Sequence, residues 1–140
     1  MTRVDFYILP DNATPQRFAC SIAGKAQQQG HDIYIYTTSR DEAIKLDDLL
    51  WTFKDISFLP HTLVDDPDVG STPISIGWPG AKIHPTQVLI NLTDTVPDFI
   101  GDYPRIVEFV SGETTQKQKA RERYRHYRDS GYDLHNHDLE

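Results

Sequence analysis

A chain of 140 residues with 38% hydrophobic and 11% aromatic side chains can furnish one core but not two. Its formal net charge of −7 speaks against nonspecific nucleic-acid binding by the body as a whole, and no run approaches the roughly 18 apolar residues of a membrane span. With one cysteine, Cys20, there is neither an internal disulfide nor a multi-cysteine metal site.

The opening MTRVDFYIL runs straight into a strand pattern with no apolar leader, so the expected location is the cytoplasm, with no membrane partner. Val4 to Leu9 reads as a strand ended by the turn residues Pro10, Asp11 and Asn12. Thr14-Pro15 then gives a helix start, with proline where its missing N–H is harmless. Phe18, Ala19, Ile22, Ala23 and Ala26 follow at helical spacing up to a stop at Gly30, and Cys20 among them is expected to be a buried thiol. Asp32 to Thr37 is a second strand, rich in β-branched and aromatic residues. Ser39 and Glu42 form a capping box for a helix that carries Ala43, Leu46, Leu49 and Leu50 and ends near Trp51 to Phe53.

From there to Thr72 the pattern is irregular. Ile74 to Gly77 and Val88 to Asn91 are short apolar strands, and Arg105 to Val110 is the last predicted strand. A final helix spans about Glu113 to Ser130, closed by Gly131. This alternation predicts one α/β domain over 1–140: an ordered core to about residue 131, then a polar, mobile tail over 132–140. The expected architecture is a Rossmann-like, three-layer fold with a largely parallel sheet and helices on both faces.

Cofactor and catalytic motifs are missing. The first strand-to-helix turn, Leu9 to Thr14, holds no glycine for a pyrophosphate, no P-loop occurs, and Gly-x-Ser-x-Gly is absent. Neither a cofactor nor a bound metal is expected. His135 and His137 are the only clustered histidines, and they fall in the predicted tail.

The last helix carries the functional signal. Between Glu113 and Arg128 there are six Lys or Arg against two Glu, four net positive charges on a body left with eleven negative ones. Lys117, Arg121, Tyr124 and Arg128 fall at about 0°, 40°, −20° and 20° around the helix axis, a narrow stripe of cations with one ring. Ala120 and Tyr127 are the expected core contacts. Such a stripe suits an acidic peptide with an apolar end: guanidiniums take carboxylates and the ring seats the apolar side chain. Two other readings stay open: a small nucleotide-binding enzyme, and a module that binds single-stranded DNA directly through phosphate contacts and stacking. A second unusual segment, Leu49 to His61, concentrates Trp51, Phe53, Phe58, Ile56 and several leucines, divided between core and an exposed interface patch.

Many of these runs are shared with one family. Phe6-Tyr7-Ile8-Leu9, Leu46-Asp47-Asp48-Leu49-Leu50-Trp51, Ser57-Phe58-Leu59-Pro60-His61, Pro73 to Pro79, Val88 to Leu92, Val107 to Val110 and Ala120-Arg121-Glu122-Arg123-Tyr124-Arg125-His126-Tyr127-Arg128 stand in one order. Together they resemble the chi subunit of bacterial DNA polymerase III holoenzyme, over nearly the whole chain. The resemblance implies a Rossmann-like fold without a nucleotide site, no catalysis, and a replication adaptor with two partners. The psi subunit, which ties chi to the clamp loader, would meet Trp51 and Phe58. The acidic C-terminal tail of single-stranded-DNA-binding protein, ending in Phe, would dock on Lys117, Arg121, Tyr124 and Arg128, with Val110 lining its apolar seat. Association with DNA would then be indirect, and a repair helicase is a further candidate for the Trp51–Phe58 surface.

Overall fold

The computed structural model describes residues 2–10, 13–52, 61–66, 72–81, 86–112 and 114–138. Among these, seven strands form one sheet in the order β3-β4-β2-β5-β6-β1-β7, every neighbouring pair parallel. They are β1 (Arg3–Ile8), β2 (Ile33–Tyr36), β3 (His61–Leu63), β4 (Ile74–Gly77), β5 (Val88–Asn91), β6 (Arg105–Val110) and β7 (Asp133–Asp138). The helices are α1 (Pro15–Gln28), α2 (Arg40–Thr52) and α3 (Thr114–Asp129), with a short 3₁₀ turn at Ile100–Asp102.

Side-chain alternation sorts the sheet into two faces. On one, Ile33, Ile35, Ile74, Ile76, Ile90 and Val107 pack against α1 and α2 through Ala19, Cys20, Ala23, Ala43, Leu46 and Leu50. On the other, Val4, Phe6, Tyr34, Leu89 and Ile106 pack against Tyr127 of α3 and against Ile100 and Tyr103. The result is the expected three-layer α/β arrangement, with a sheet buried on both sides and hence apolar strands.

Local chemistry explains the helix ends. The Ser39 hydroxyl accepts the Glu42 amide at 3.2 Å, as the capping box requires. Thr14 precedes α1 in extended conformation, but its side chain makes no cap bond; Pro15 occupies the first turn. At the end of α3, Gly131 adopts φ 83°, and the Tyr132 amide returns to the Tyr127 carbonyl at 3.1 Å. This left-handed cap turns the chain back along the sheet.

The C-terminal end departs from the sequence reading. Of the segment 132–140 expected to be a mobile tail, residues 133–138 form strand β7, paired along its length with β1 from Arg3↔Asp133 to Ile8↔Asp138. The sequence Asp133-Leu134-His135-Asn136-His137-Asp138 is too polar to read as a strand, because an edge strand's stability lies in main-chain pairing and a few side-chain contacts. Strand β3 lies likewise in a stretch read as irregular; three residues carry too little periodicity to be seen.

Candidate peptide-binding groove

Helix α3 is fixed to the sheet by a buried polar network. Glu108 on β6 is fully buried, and its carboxylate accepts Arg123 Nε at 3.0 Å, the Tyr127 hydroxyl at 2.7 Å and Asn91 Nδ2 at 2.8 Å. The rest of the Arg123 guanidinium donates to the carbonyls of Asp94 and Phe109, both at 3.1 Å. Burial pushes the Glu108 carboxyl upward against the opposing pull of Arg123, Tyr127 and Asn91. A buried charge is tolerable only with this degree of pairing.

With Arg123 turned inward, the neighbouring face of α3 overhangs the sheet and leaves a groove of about 300 Å³. Phe6 and Ile8 of β1 and Val110 of β6 form an apolar floor, with Ala120 and Tyr124 at the side, Lys117 and Arg121 on the helix rim, and Asn136 of β7 on the other rim. The Tyr124 ring is half-buried and lies 5.2 Å from the Phe6 ring, so its packing fixes it while one side stays open. Lys117 and Arg121 are exposed and, among the described residues, have no ion-pair partner, whereas Lys119 pairs with Asp94 at 3.0 Å and Arg123 with Glu108. The helix thus commits Arg123 to the interior and Lys119 to a surface pair, and leaves Lys117 and Arg121 at the groove.

Val110, Lys117, Arg121 and Tyr124 are therefore brought together, and Arg128 is not. Its guanidinium lies 3.3 Å from Asp129, in solvent, outside the groove. The helical angle that placed it in the stripe says nothing of axial reach; at 1.5 Å per residue, Arg128 is about 16 Å along the axis from Lys117. Phe6, Ile8 and Asn136 also line the groove but did not stand out in the sequence. The two β1 residues carried a signal, since alternation puts them on one face with Val4. Asn136 carried none, because the strand that presents it was read as a tail.

The far wall is anchored from behind. Asp5 of β1 is buried and meets Arg105 Nε at 2.8 Å, Arg3 Nη2 at 3.0 Å and His137 Nε2 of β7 at 2.8 Å. His137 stacks on Tyr7 with ring centroids 4.6 Å apart. Burial opposes the charge on Asp5, but the hydrogen bonds from His137, Arg105 and Arg3 outweigh it and hold the carboxyl below the usual carboxylate range. His135 meets Asp133 at 2.9 Å, so the two tail histidines serve separate contacts.

At the opposite end of the sheet Trp51 is 55% exposed at the end of α2, tilted over His61 at 4.3 Å, and His61 meets Asp47 at 3.3 Å. Leu50 beside it is buried, which divides this run between core and surface. Phe58 lies outside the described residues. At the strand ends between α1 and α2, a pocket of about 20 Å³ lined by Gln16, Thr37, Thr38, Glu42, Leu46 and Leu92 has room for a water, not a mononucleotide. Cys20 is fully buried, and burial pushes its thiol up to about 12, far from a reactive thiolate at neutral pH. No helix among the described residues is long and apolar enough to cross a membrane.

Comparison with known proteins gives consistent results. The family described as "DNA polymerase III chi subunit, HolC" matches residues 1–135. The chain is 36% identical over 141 residues to the DNA polymerase III subunit chi of Pseudomonas aeruginosa, covering 99% of this chain and 98% of that one. It is 34% identical over 132 residues to the subunit of the same name in Haemophilus influenzae, covering 92% of each. Among solved structures, it is similar to a chain from a complex of S. cerevisiae Dbp5 with Nup159, Gle1, IP6 and ADP, with a TM-score of 0.68 at 8% identity. That match covers 99% of this chain and 42% of the other, and at such identity it shows the fold alone.

Proposed function

The chain belongs to the DNA polymerase III chi subunit family, and on that footing we propose that it is a non-catalytic replication adaptor whose groove grips the acidic, Phe-ending C-terminal tail of single-stranded-DNA-binding protein. One observation carries this reading: an apolar cleft of about 300 Å³ with two cations on its rim, Lys117 and Arg121, that have no ion-pair partner among the described residues. Floor and rim divide the work. Phe6, Ile8, Val110 and the Tyr124 ring take the terminal phenylalanine, while Lys117 and Arg121 take carboxylates by charge-assisted bonds. Arg128, further along the helix, meets acidic residues upstream in the tail.

The second partner is the psi subunit, which links chi to the clamp loader. Its proposed seat is the surface around the exposed Trp51, with Phe58, outside the described residues, as the second contact that the family resemblance implies; an exposed tryptophan beside a buried leucine suits an interface anchor. A repair helicase competing for that surface is a further expectation of the same reading. With one partner at each end, the protein tethers the polymerase assembly to coated template, and the many tails on one strand supply avidity through effective concentration.

Calorimetry with an acidic peptide ending in Phe tests the groove. Arg121→Ala and Tyr124→Ala each weaken binding at least about tenfold, the loss typical of an anchor residue, while the melting temperature stays within a few degrees. Unchanged affinity in both variants would sink the reading. The nucleotide-binding alternative requires a mononucleotide to raise the melting temperature.

A further inference from the structure

We propose that edge strand β7 is the second wall of this groove and that Asn136 binds the main chain of the docked peptide. The inference rests on the peptide reading above and adds to it a binding residue on a different element. Asn136 is exposed, lines the groove opposite the cationic helix rim, and, while its main chain belongs to the β1–β7 ladder, its side-chain amide makes no hydrogen bond among the described residues. Its amide offers donors and an acceptor together, which matches the C=O and N–H of a peptide unit. A carboxylate needs donors alone, and those stand across the cleft on Lys117 and Arg121.

The register of β7 fits this division. The two-residue period places Leu134, Asn136 and Asp138 on the groove face, in register with Val4, Phe6 and Ile8. A peptide lying between the two walls presents its carboxylates to the helix and its backbone to the strand.

The wall is rigid enough for such a role. It pairs with β1 along all six residues, and on its reverse face His137 holds Asp5 at 2.8 Å and stacks on Tyr7. A contact residue on a strand clamped from behind is presented more accurately than one on a mobile tail.

The test is calorimetry on the full chain with an acidic Phe-terminated peptide, followed by peptides methylated at single backbone nitrogens near the terminus. Asn136→Ala is expected to bind about 3- to 10-fold more weakly, the effect of losing one or two partly exposed hydrogen bonds, with an unchanged melting temperature. Asn136→Asp, which exchanges the donors for a charge, is expected to bind more weakly still. One methylated peptide should lose affinity for the unaltered chain but lose nothing further with Asn136→Ala, since both changes delete the same bond. Full affinity in Asn136→Ala alongside a loss in Arg121→Ala overturns this inference and leaves the groove reading standing. No binding by the unaltered chain overturns both.

Discussion

Two residues show how single side chains set limits on this fold. A Cβ placed on Gly77 would collide with the Tyr34 ring, whose buried hydroxyl sits against that strand. The glycine is therefore demanded by sheet-face packing, since its φ is not in the left-handed region. Gly77→Ala should lower stability by about 1–3 kcal/mol or more, as overpacking does, and urea unfolding checks it. Asp5 sets a limit of another kind, because its carboxyl is held below the usual range once it is folded. For a depressed carboxylate, the stabilisation is present above the unfolded value of about 3.9 and is lost as pH falls through the lower folded value. Asp5→Asn should thus cost about 1–3 kcal/mol near neutral pH, the loss of charged hydrogen bonds. The gap between variant and unaltered chain should close as the solution is taken into the acid range. A gap that stays constant with pH would show that the carboxylate's charge has no part in holding β7 to β1.

At the scale of elements, α3 is both a structural and a binding helix, and Arg123 separates the two roles. Arg123→Ala leaves Glu108 buried without its cation and should destabilise by about 3–5 kcal/mol, a large share of the roughly 5–15 kcal/mol typical of a whole domain. Replacing both partners, as Arg123→Met with Glu108→Leu, should lose less than the single change, and a double-mutant cycle in urea reads the difference. The sequence announced this helix, its cap at Gly131, and the core contacts Ala120 and Tyr127, because helical period and glycine chemistry are local. It also placed Lys117, Arg121 and Tyr124 on one face. It could not say which cations would be engaged elsewhere, since Arg123 is drawn inward by Glu108 and Lys119 pairs with Asp94 at the surface, partners 15 and 25 residues away. Strand β7 was hidden for the same reason: its stability comes from pairing with β1, more than a hundred residues earlier. Half of the groove was legible, and the half contributed by the edge strand was not.

For the whole molecule, the question is whether the acidic tail is held by local geometry or by a general field. A net charge of −7, with the positive charge gathered on α3, makes the groove a cationic island on a repelling body. Screening lengths near 8 Å at physiological salt mean that the field of the body reaches the rim only weakly. Two charge reversals separate the possibilities, because both change the net charge equally: Arg121→Glu at the rim, and Arg125→Glu, exposed on the same helix but outside the groove. If local contacts dominate, the first should abolish binding of the acidic peptide, while the second lowers affinity by less than about threefold, a surface-field effect that raised salt removes. Equal losses in the two variants would instead make the interaction a diffuse attraction to a basic helix. The same island predicts poor binding of bare single-stranded DNA. Phosphates would be repelled by the body, and Tyr124 is a single half-buried ring where stacking needs a platform of several. Anisotropy of a labelled oligonucleotide should give a Kd weaker than about 100 µM at physiological salt, the weak limit of nonspecific binders. Affinity for the oligonucleotide matching that for the peptide would mean that the protein reaches the template directly, with no tail between them.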